Sequence, residues 1–150
     1  AVHRSHPRPR TGMADHPRNG REERPWGWFE TLGRGHGYLL KRLCIGAGRQ
    51  ISLQRHRHRC EHWVVVEGDG WLECDGRQLE ARAGSTLFIP VSAIHRARAG
   101  SHDLTIIEVQ RGAQLREDDI ERLADDYGRE TGSGRIEEQT DERDNKLNIN

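Results

Sequence analysis

The chain has 150 residues, which at roughly 100–200 residues per domain allows one compact domain with peripheral segments. Apolar residues are 33% and charged residues 32%, so a core must come from a minority of positions, and the longest apolar run, Trp63-Val64-Val65-Val66, is far short of the roughly 20 residues of a membrane-crossing helix. Twenty-four basic side chains cancel twenty-four acids, which removes the basic footprint of a nucleic-acid binder; neither a membrane nor a nucleic acid is an expected partner.

The start carries Arg, His and Pro and no apolar stretch of a secretory signal, and Cys44, Cys60 and Cys74 are odd in number without a CxxC pair. Reduced thiols in a cytoplasmic protein are the expectation. Residues 1–24 hold six Arg against three acids, residues 115–150 hold twelve acids against six bases, and the middle is slightly basic. Residues 1–23, with Pro7, Pro9, Pro17, Gly12 and Gly20 and no apolar period, read as a disordered tail in which Met13 is a candidate native start; residues 130–150 read the same way. The foldable part is residues 24–129.

Within it, short apolar segments recur between glycines, the pattern of an all-β sandwich or barrel. Strands are predicted near Tyr38–Ile45, Ile51–Leu53, His62–Glu67, Trp71–Cys74, Gln78–Ala81, Thr86–Ile89, His95–Ala99 and Leu104–Gln110. Glu67-Gly68-Asp69-Gly70 and Asp75-Gly76 offer the positive φ of hairpin turns, predicting successive antiparallel hairpins. From Glu117 to Tyr127, the residues Ile120, Leu123, Ala124 and Tyr127 share one helical face behind an acidic first turn, predicting a short C-terminal α-helix.

The chemistry concentrates in Gln54-Arg55-His56-Arg57-His58-Arg59-Cys60-Glu61-His62. On a strand, residues two apart share a face, so His56 and His58 can address one metal ion, with Glu61 or His62 as a third ligand. His95, after a turn signal at Gly84 and Pro90, is the candidate fourth. The same alternation sends Arg57 and Arg59 outward.

These segments resemble the paired motifs of the cupin superfamily, the first met by His56, His58, Glu61 and Gly68, the second by Gly84, Pro90 and His95. The interval between His58 and Glu61 is two residues where the superfamily pattern has three or four. Counting on to Gly68 selects Glu61; alternation from His58 selects the rival His62. The resemblance implies a cupin fold, a double-stranded β-helix or jelly-roll barrel, here with the added C-terminal helix.

Longer strings sharpen it: Arg24-Pro25-Trp26-Gly27-Trp28, Ser52-Leu53-Gln54, Glu61-His62-Trp63-Val64-Val65, Ile107-Glu108-Val109-Gln110, Glu117-Asp118-Asp119-Ile120 and Asp125-Asp126-Tyr127-Gly128-Arg129 are similar to the type II mannose-6-phosphate isomerase domain, across residues 24–129. That domain commonly forms the C-terminal half of bifunctional mannose-1-phosphate guanylyltransferases; no Gly-rich nucleotide loop is present here, so only the isomerase part is carried over. The resemblance implies interconversion of mannose 6-phosphate and fructose 6-phosphate, with a divalent metal held by His56, His58, Glu61 and His95, zinc first and manganese, cobalt, nickel or iron as the other candidates.

Such an isomerase needs an electrophile, a base and a phosphate holder. Lys41, one of only two lysines in the chain, lies on a predicted strand and is a base partner, a phosphate contact or a solvated outward residue. Arg96 follows His95 and is either a phosphate fork or a rim charge. Glu108, in an apolar run, is either a desolvated general acid or base or an edge carboxylate bonded to an arginine. Trp26, Trp28, Trp63 and Trp71 read as core and interface anchors before sugar platforms. A small sugar phosphate and a second copy of the chain, covering barrel edge strands, are the expected partners. A non-catalytic sugar-phosphate-binding accessory to a separate guanylyltransferase and an Fe(II) cupin dioxygenase are the alternatives.

Overall fold

The computed structural model describes residues 20–131; residues 1–19 and 132–150, which hold most of both expected tails, lie outside the described residues. Among the described residues there are eleven strands: β1 (Arg21–Arg24), β2 (Gly27–Gly35), β3 (Tyr38–Ile45), β4 (Leu53–Arg55), β5 (Cys60–Glu67), β6 (Asp69–Cys74), β7 (Arg77–Arg82), β8 (Thr86–Ile89), β9 (His95–Ala99), β10 (Leu104–Arg111) and β11 (Glu121–Ala124). They form one sheet in the order β1-β2-β3-β10-β5-β8 and a second in the order β11-β4-β9-β6-β7, with every strand pair antiparallel.

The period-2 pattern sets what each strand buries. On β3 the inward residues are Leu39, Lys41, Leu43 and Ile45; on β10 they are Leu104, Ile106, Glu108 and Gln110; on β5 they are Glu61, Trp63 and Val65. At one end of the interior, Leu43, Ile45, Val65, Leu104 and Ile106 join Ile51, Leu72, Ala97 and Ala99 in a continuous apolar core. Two residues further along the same strands the interior turns polar. Glu108 pairs in register with Lys41 on one side and Trp63 on the other, and Gln110 pairs with Glu61. The facing sheet adds a matching row, in which His95 pairs with Gln54 and Gln54 with Arg122. The barrel therefore has a dry end that holds it together and a polar end that carries chemistry.

Several expectations are corrected. Asp75-Gly76 does close the β6–β7 hairpin, with φ of 48° and 79°. The Gly68 turn, however, is no hairpin, because β5 pairs with β10 and β8 whereas β6 pairs with β7 and β9; the chain crosses there from one sheet to the other. Gly68 has φ of 94°, and a Cβ at that position would collide with the Asp103 carbonyl, so the crossing demands glycine. The predicted helix at Glu117–Tyr127 is instead turns and strand β11, which pairs with β4. Residues 21–23, expected in the tail, form β1 against β2, and the Thr131 N–H donates to the Arg122 carbonyl.

Candidate metal centre

The polar end is organised by a bend between β4 and β5. After Arg55 the chain leaves the strand, and the Asp119 carboxylate accepts hydrogen bonds from the backbone N–H of Arg57 and of His58, both 2.9 Å. Burial opposes charge on Asp119, yet these two bonds, aided by the Arg59 charge, hold its carboxyl below the usual range. The bend breaks strand alternation. His56 turns inward and is buried, His58 is exposed, and Arg59 turns inward to be buried as well.

His56, Glu61 and His95 converge, with one ligand atom from each lying within 4.8 Å of the others. His56 Nδ1 lies 2.6 Å from the Asp119 carbonyl oxygen, and His95 Nδ1 lies 2.9 Å from that of Ala93. Each carbonyl can only accept, so each ring places its Nδ1 proton there and aims Nε2 at Glu61. His56 Nε2 is 3.0 Å from Glu61 Oε1, and His95 Nε2 is 3.5 Å from Glu61 Oε2. Two acceptors do not sit at such separations without a cation or an added proton between them. The Arg59 guanidinium supplies part of that charge: its Nε donates to Glu61 Oε1 at 3.0 Å, and Nη2 lies 3.3 Å from His56 Nε2. Glu61 Oε2 and His95 Nε2 remain buried without a hydrogen-bond partner. Two imidazole nitrogens and a carboxylate, with two of the three ligand atoms orphaned, fit a divalent cation of the zinc, manganese or iron type, and leave coordination positions open.

Burial by itself would raise the Glu61 carboxyl, but the His56 and His95 imidazoles hold it well below the usual range. Glu108 behaves oppositely: burial, then the Glu61 charge, pushes it up to about 8. Its oxygens accept from Trp63 Nε1 at 2.9 Å and Gln110 Nε2 at 3.0 Å. Lys41 is buried, pairs with Glu117, and places Nζ 4.2 Å from the centre of the Phe29 ring. A cavity of about 140 Å³ opens above this floor, lined by Lys41, His56, Arg59, Glu108 and Glu117.

Of the residues singled out in the sequence, Lys41, His56, Glu61, His95 and Glu108 gather here, whereas His58, His62 and Arg96 do not. His62 points to the outer face, its ring 4.8 Å from that of Phe88. Arg96 is the strand neighbour of His95 and so faces outward, where its guanidinium bonds the carbonyls of Ile51 and Ala124. Three residues were missed: Arg59, Glu117 and Gln54. The last had a signal, because Gln54-x-His56 followed by four residues and Glu61 restores the interval that His58 shortens. Ser52 Oγ donates to Gln54 Oε1 at 2.7 Å, which turns the amide nitrogen toward His56 Nε2 at 3.4 Å.

A two-sheet antiparallel barrel with a His/Glu/His group at its polar end is the architecture of a cupin. Among solved structures, an RmlC-like cupin from Shewanella frigidimarina matches with a TM-score of 0.58 at 22% identity, over 65% of this chain and 86% of that one. KdgF from Halomonas sp. matches with a TM-score of 0.61 at 16% identity, over 69% and 93%. The chain belongs to the family described as Mannose-6-phosphate isomerase C-terminal, whose match covers residues 12–125. Its curated relatives include the alginate biosynthesis protein AlgA of Pseudomonas aeruginosa, 43% identical over 107 residues, or 71% of this chain and 22% of that protein. Mannose-1-phosphate guanylyltransferase of Escherichia coli is 40% identical, over 71% and 22%, and the xanthan biosynthesis protein XanB of Xanthomonas campestris is 39% identical, over 71% and 23%. The chain thus spans less than a quarter of the length of these relatives. No helix among the described residues is long and apolar enough to cross a membrane.

Proposed function

We propose that this domain is a metal-dependent aldose–ketose isomerase that interconverts mannose 6-phosphate and fructose 6-phosphate for nucleotide-sugar and polysaccharide synthesis. The observation that carries the reading is the pair of buried, unpartnered atoms Glu61 Oε2 and His95 Nε2 beneath a cation-lined cavity, in a chain of this family.

His56, Glu61 and His95 would hold the metal, which when bound supplies a Lewis acid for the sugar's carbonyl and hydroxyl oxygens. The protein supplies the rest. The Asp119 and Ala93 carbonyls fix the ring orientations, and Gln54 and Arg59 lie against the ligand atoms themselves, His56 Nε2 and Glu61 Oε1. Glu108 carries its proton up to about pH 8 and stands one strand from Lys41, so it can donate to an oxygen as negative charge develops there. The Lys41 ammonium, desolvated against Phe29, stabilises that same charge, and the carboxylate of its partner Glu117 can accept the proton from C2 and return it to C1.

A homodimer is part of the proposal, since Val64 and Val66 on β5 and Phe88 on the neighbouring edge strand β8 are exposed apolar residues. The test of the activity is a coupled assay for fructose 6-phosphate formed from mannose 6-phosphate, on chelator-treated protein and on the same protein reloaded with zinc, manganese, cobalt, nickel or iron. Turnover that appears with metal is expected. Tight metal binding with no turnover by any of the five would transfer the site to the sugar-phosphate-binding accessory reading.

A further inference from the structure

The phosphate of a sugar phosphate needs a place, and Arg96, the candidate read from sequence, faces the wrong side of its strand. The cavity itself offers another answer. Its lining holds five cationic side chains, Arg24, Lys41, Arg59, Arg122 and Arg129, against the two carboxyl groups of Glu108 and Glu117. Lys41 is neutralised by Glu117, Arg59 by Glu61, and Arg129 by Asp125 through both of its nitrogens, at 2.9 and 3.0 Å. Arg24 pairs with Glu22 at 3.1 Å. Arg122 differs: Asp125 acts on it only through charge, and its Nε is buried and makes no hydrogen bond among the described residues, although a guanidinium carries five donors.

Its placement follows from register. Arg122 lies opposite Gln54, which lies opposite His95, so its side chain leaves β11 on the face that turns inward. Burial, then the charge of Arg129, lowers the Arg122 pKa with a small addition from Arg24, and the Asp125 charge only partly offsets them. Arg24 reaches the same mouth from β1, its guanidinium 4.9 Å from the centre of the Phe29 ring that also contacts Lys41. A partly buried guanidinium whose Nε has lost water without gaining an acceptor, at a mouth shared with Arg24 and Arg129, costs folding free energy unless an anion completes it.

We propose that Arg122, flanked by Arg24 and Arg129, holds the phosphate dianion of the substrate, with the sugar's carbonyl end directed down toward His56. The inference rests on the isomerase reading for the identity of the sugar, but the anion site stands on its own geometry. A planar guanidinium suits the two-oxygen edge of a phosphate. The site also explains why β11 is a strand: pairing with β4 is what carries Arg122 over the cavity.

The experiment is calorimetric titration of the zinc-loaded chain with mannose 6-phosphate, inorganic phosphate and unphosphorylated mannose, for the native sequence and for Arg122→Gln, Arg122→Lys and Arg24→Gln. Arg122→Gln is expected to weaken mannose 6-phosphate and inorganic phosphate at least tenfold and to leave mannose and zinc affinity unchanged. Arg24→Gln is expected to weaken both phosphates a few-fold, and it keeps the test decisive if Arg122→Gln fails to fold. Arg122→Lys should fall between. Unchanged phosphate affinity in the folded Arg122 and Arg24 variants would overturn the proposal, even if the native chain proves to be an isomerase. Arg122-dependent phosphate binding without turnover would uphold the anion site and sink the isomerase reading.

Discussion

Arg59 Nε donates to Glu61 Oε1 at 3.0 Å, and both side chains are buried. The contact joins the internal cation of the site to the carboxylate of the His/Glu/His group, and it leaves Oε2 free for a metal. Replacing Arg59 by Gln removes the charge that offsets Glu61, a change that typically costs about 3–5 kcal/mol when one member of a buried pair is lost. Denaturant unfolding of chelator-treated protein should show that loss, and saturating zinc should recover most of it. A variant as stable as the native chain without metal would show that Glu61 is neutral in the free protein.

Metal stoichiometry should separate the three histidines. His56→Ala and His95→Ala are expected to lose stoichiometric zinc, because each removes an inward ring. His58→Ala should keep it, since that ring is exposed and only its backbone N–H serves the site. Elemental analysis after dialysis reads the outcome directly.

Lys41→Met and Glu108→Gln should lower kcat/KM by about 10²–10⁴-fold, the range for losing a positioned proton-transfer or charge-stabilising group. Zinc content should not change in either. Steady-state kinetics on fully loaded protein, paired with zinc analysis, checks both statements together.

Acid stability depends on Asp125. Burial opposes its charge, but the hydrogen bonds from Arg129 win and hold its carboxyl below the usual range. A carboxyl with a depressed pKa in the folded state contributes stability above its unfolded value near 3.8, and that stability disappears as the pH falls through the folded value. Asp125→Asn should therefore cost about 1.5–3 kcal/mol at pH 7, the worth of charged hydrogen bonds, and flatten the decline below pH 4. Thermal unfolding across pH 2–7 measures both.

The bounds of β3, β8 and β9 were legible because apolar and polar residues alternate cleanly between glycines and turns. The segment from Glu117 to Tyr127 was not, because Ile120, Leu123, Ala124 and Tyr127 do fall at helical spacing. What overrides that period lies elsewhere in the chain: β4 has an open edge for β11 to pair with, and Asp119 is engaged by the His56 bend. His58 misled for the same reason. Its partner His56 stands just past the end of β4, where alternation no longer holds, and the anchor of that bend lies some sixty residues downstream in the hydrogen bonds of Asp119. Lys41 and Glu108 lie within regular strands of the sequence pattern, whereas Glu61 was reached by its count to Gly68 against the strand alternation that favoured His62, and the inward turn of Arg59 needed the bend to be known.

β10 lies between β3 and β5, pairing Tyr38 with Arg111 and Ile45 with Leu104, so the central seam of the larger sheet is closed by its last strand. During synthesis on the ribosome, β3 and β5 emerge early and wait with unsatisfied edges until residue 111 has cleared the exit tunnel. Such distant pairing slows folding. A chain truncated before that point would leave one edge of β3 and one edge of β5 open to any neighbour able to zip onto them.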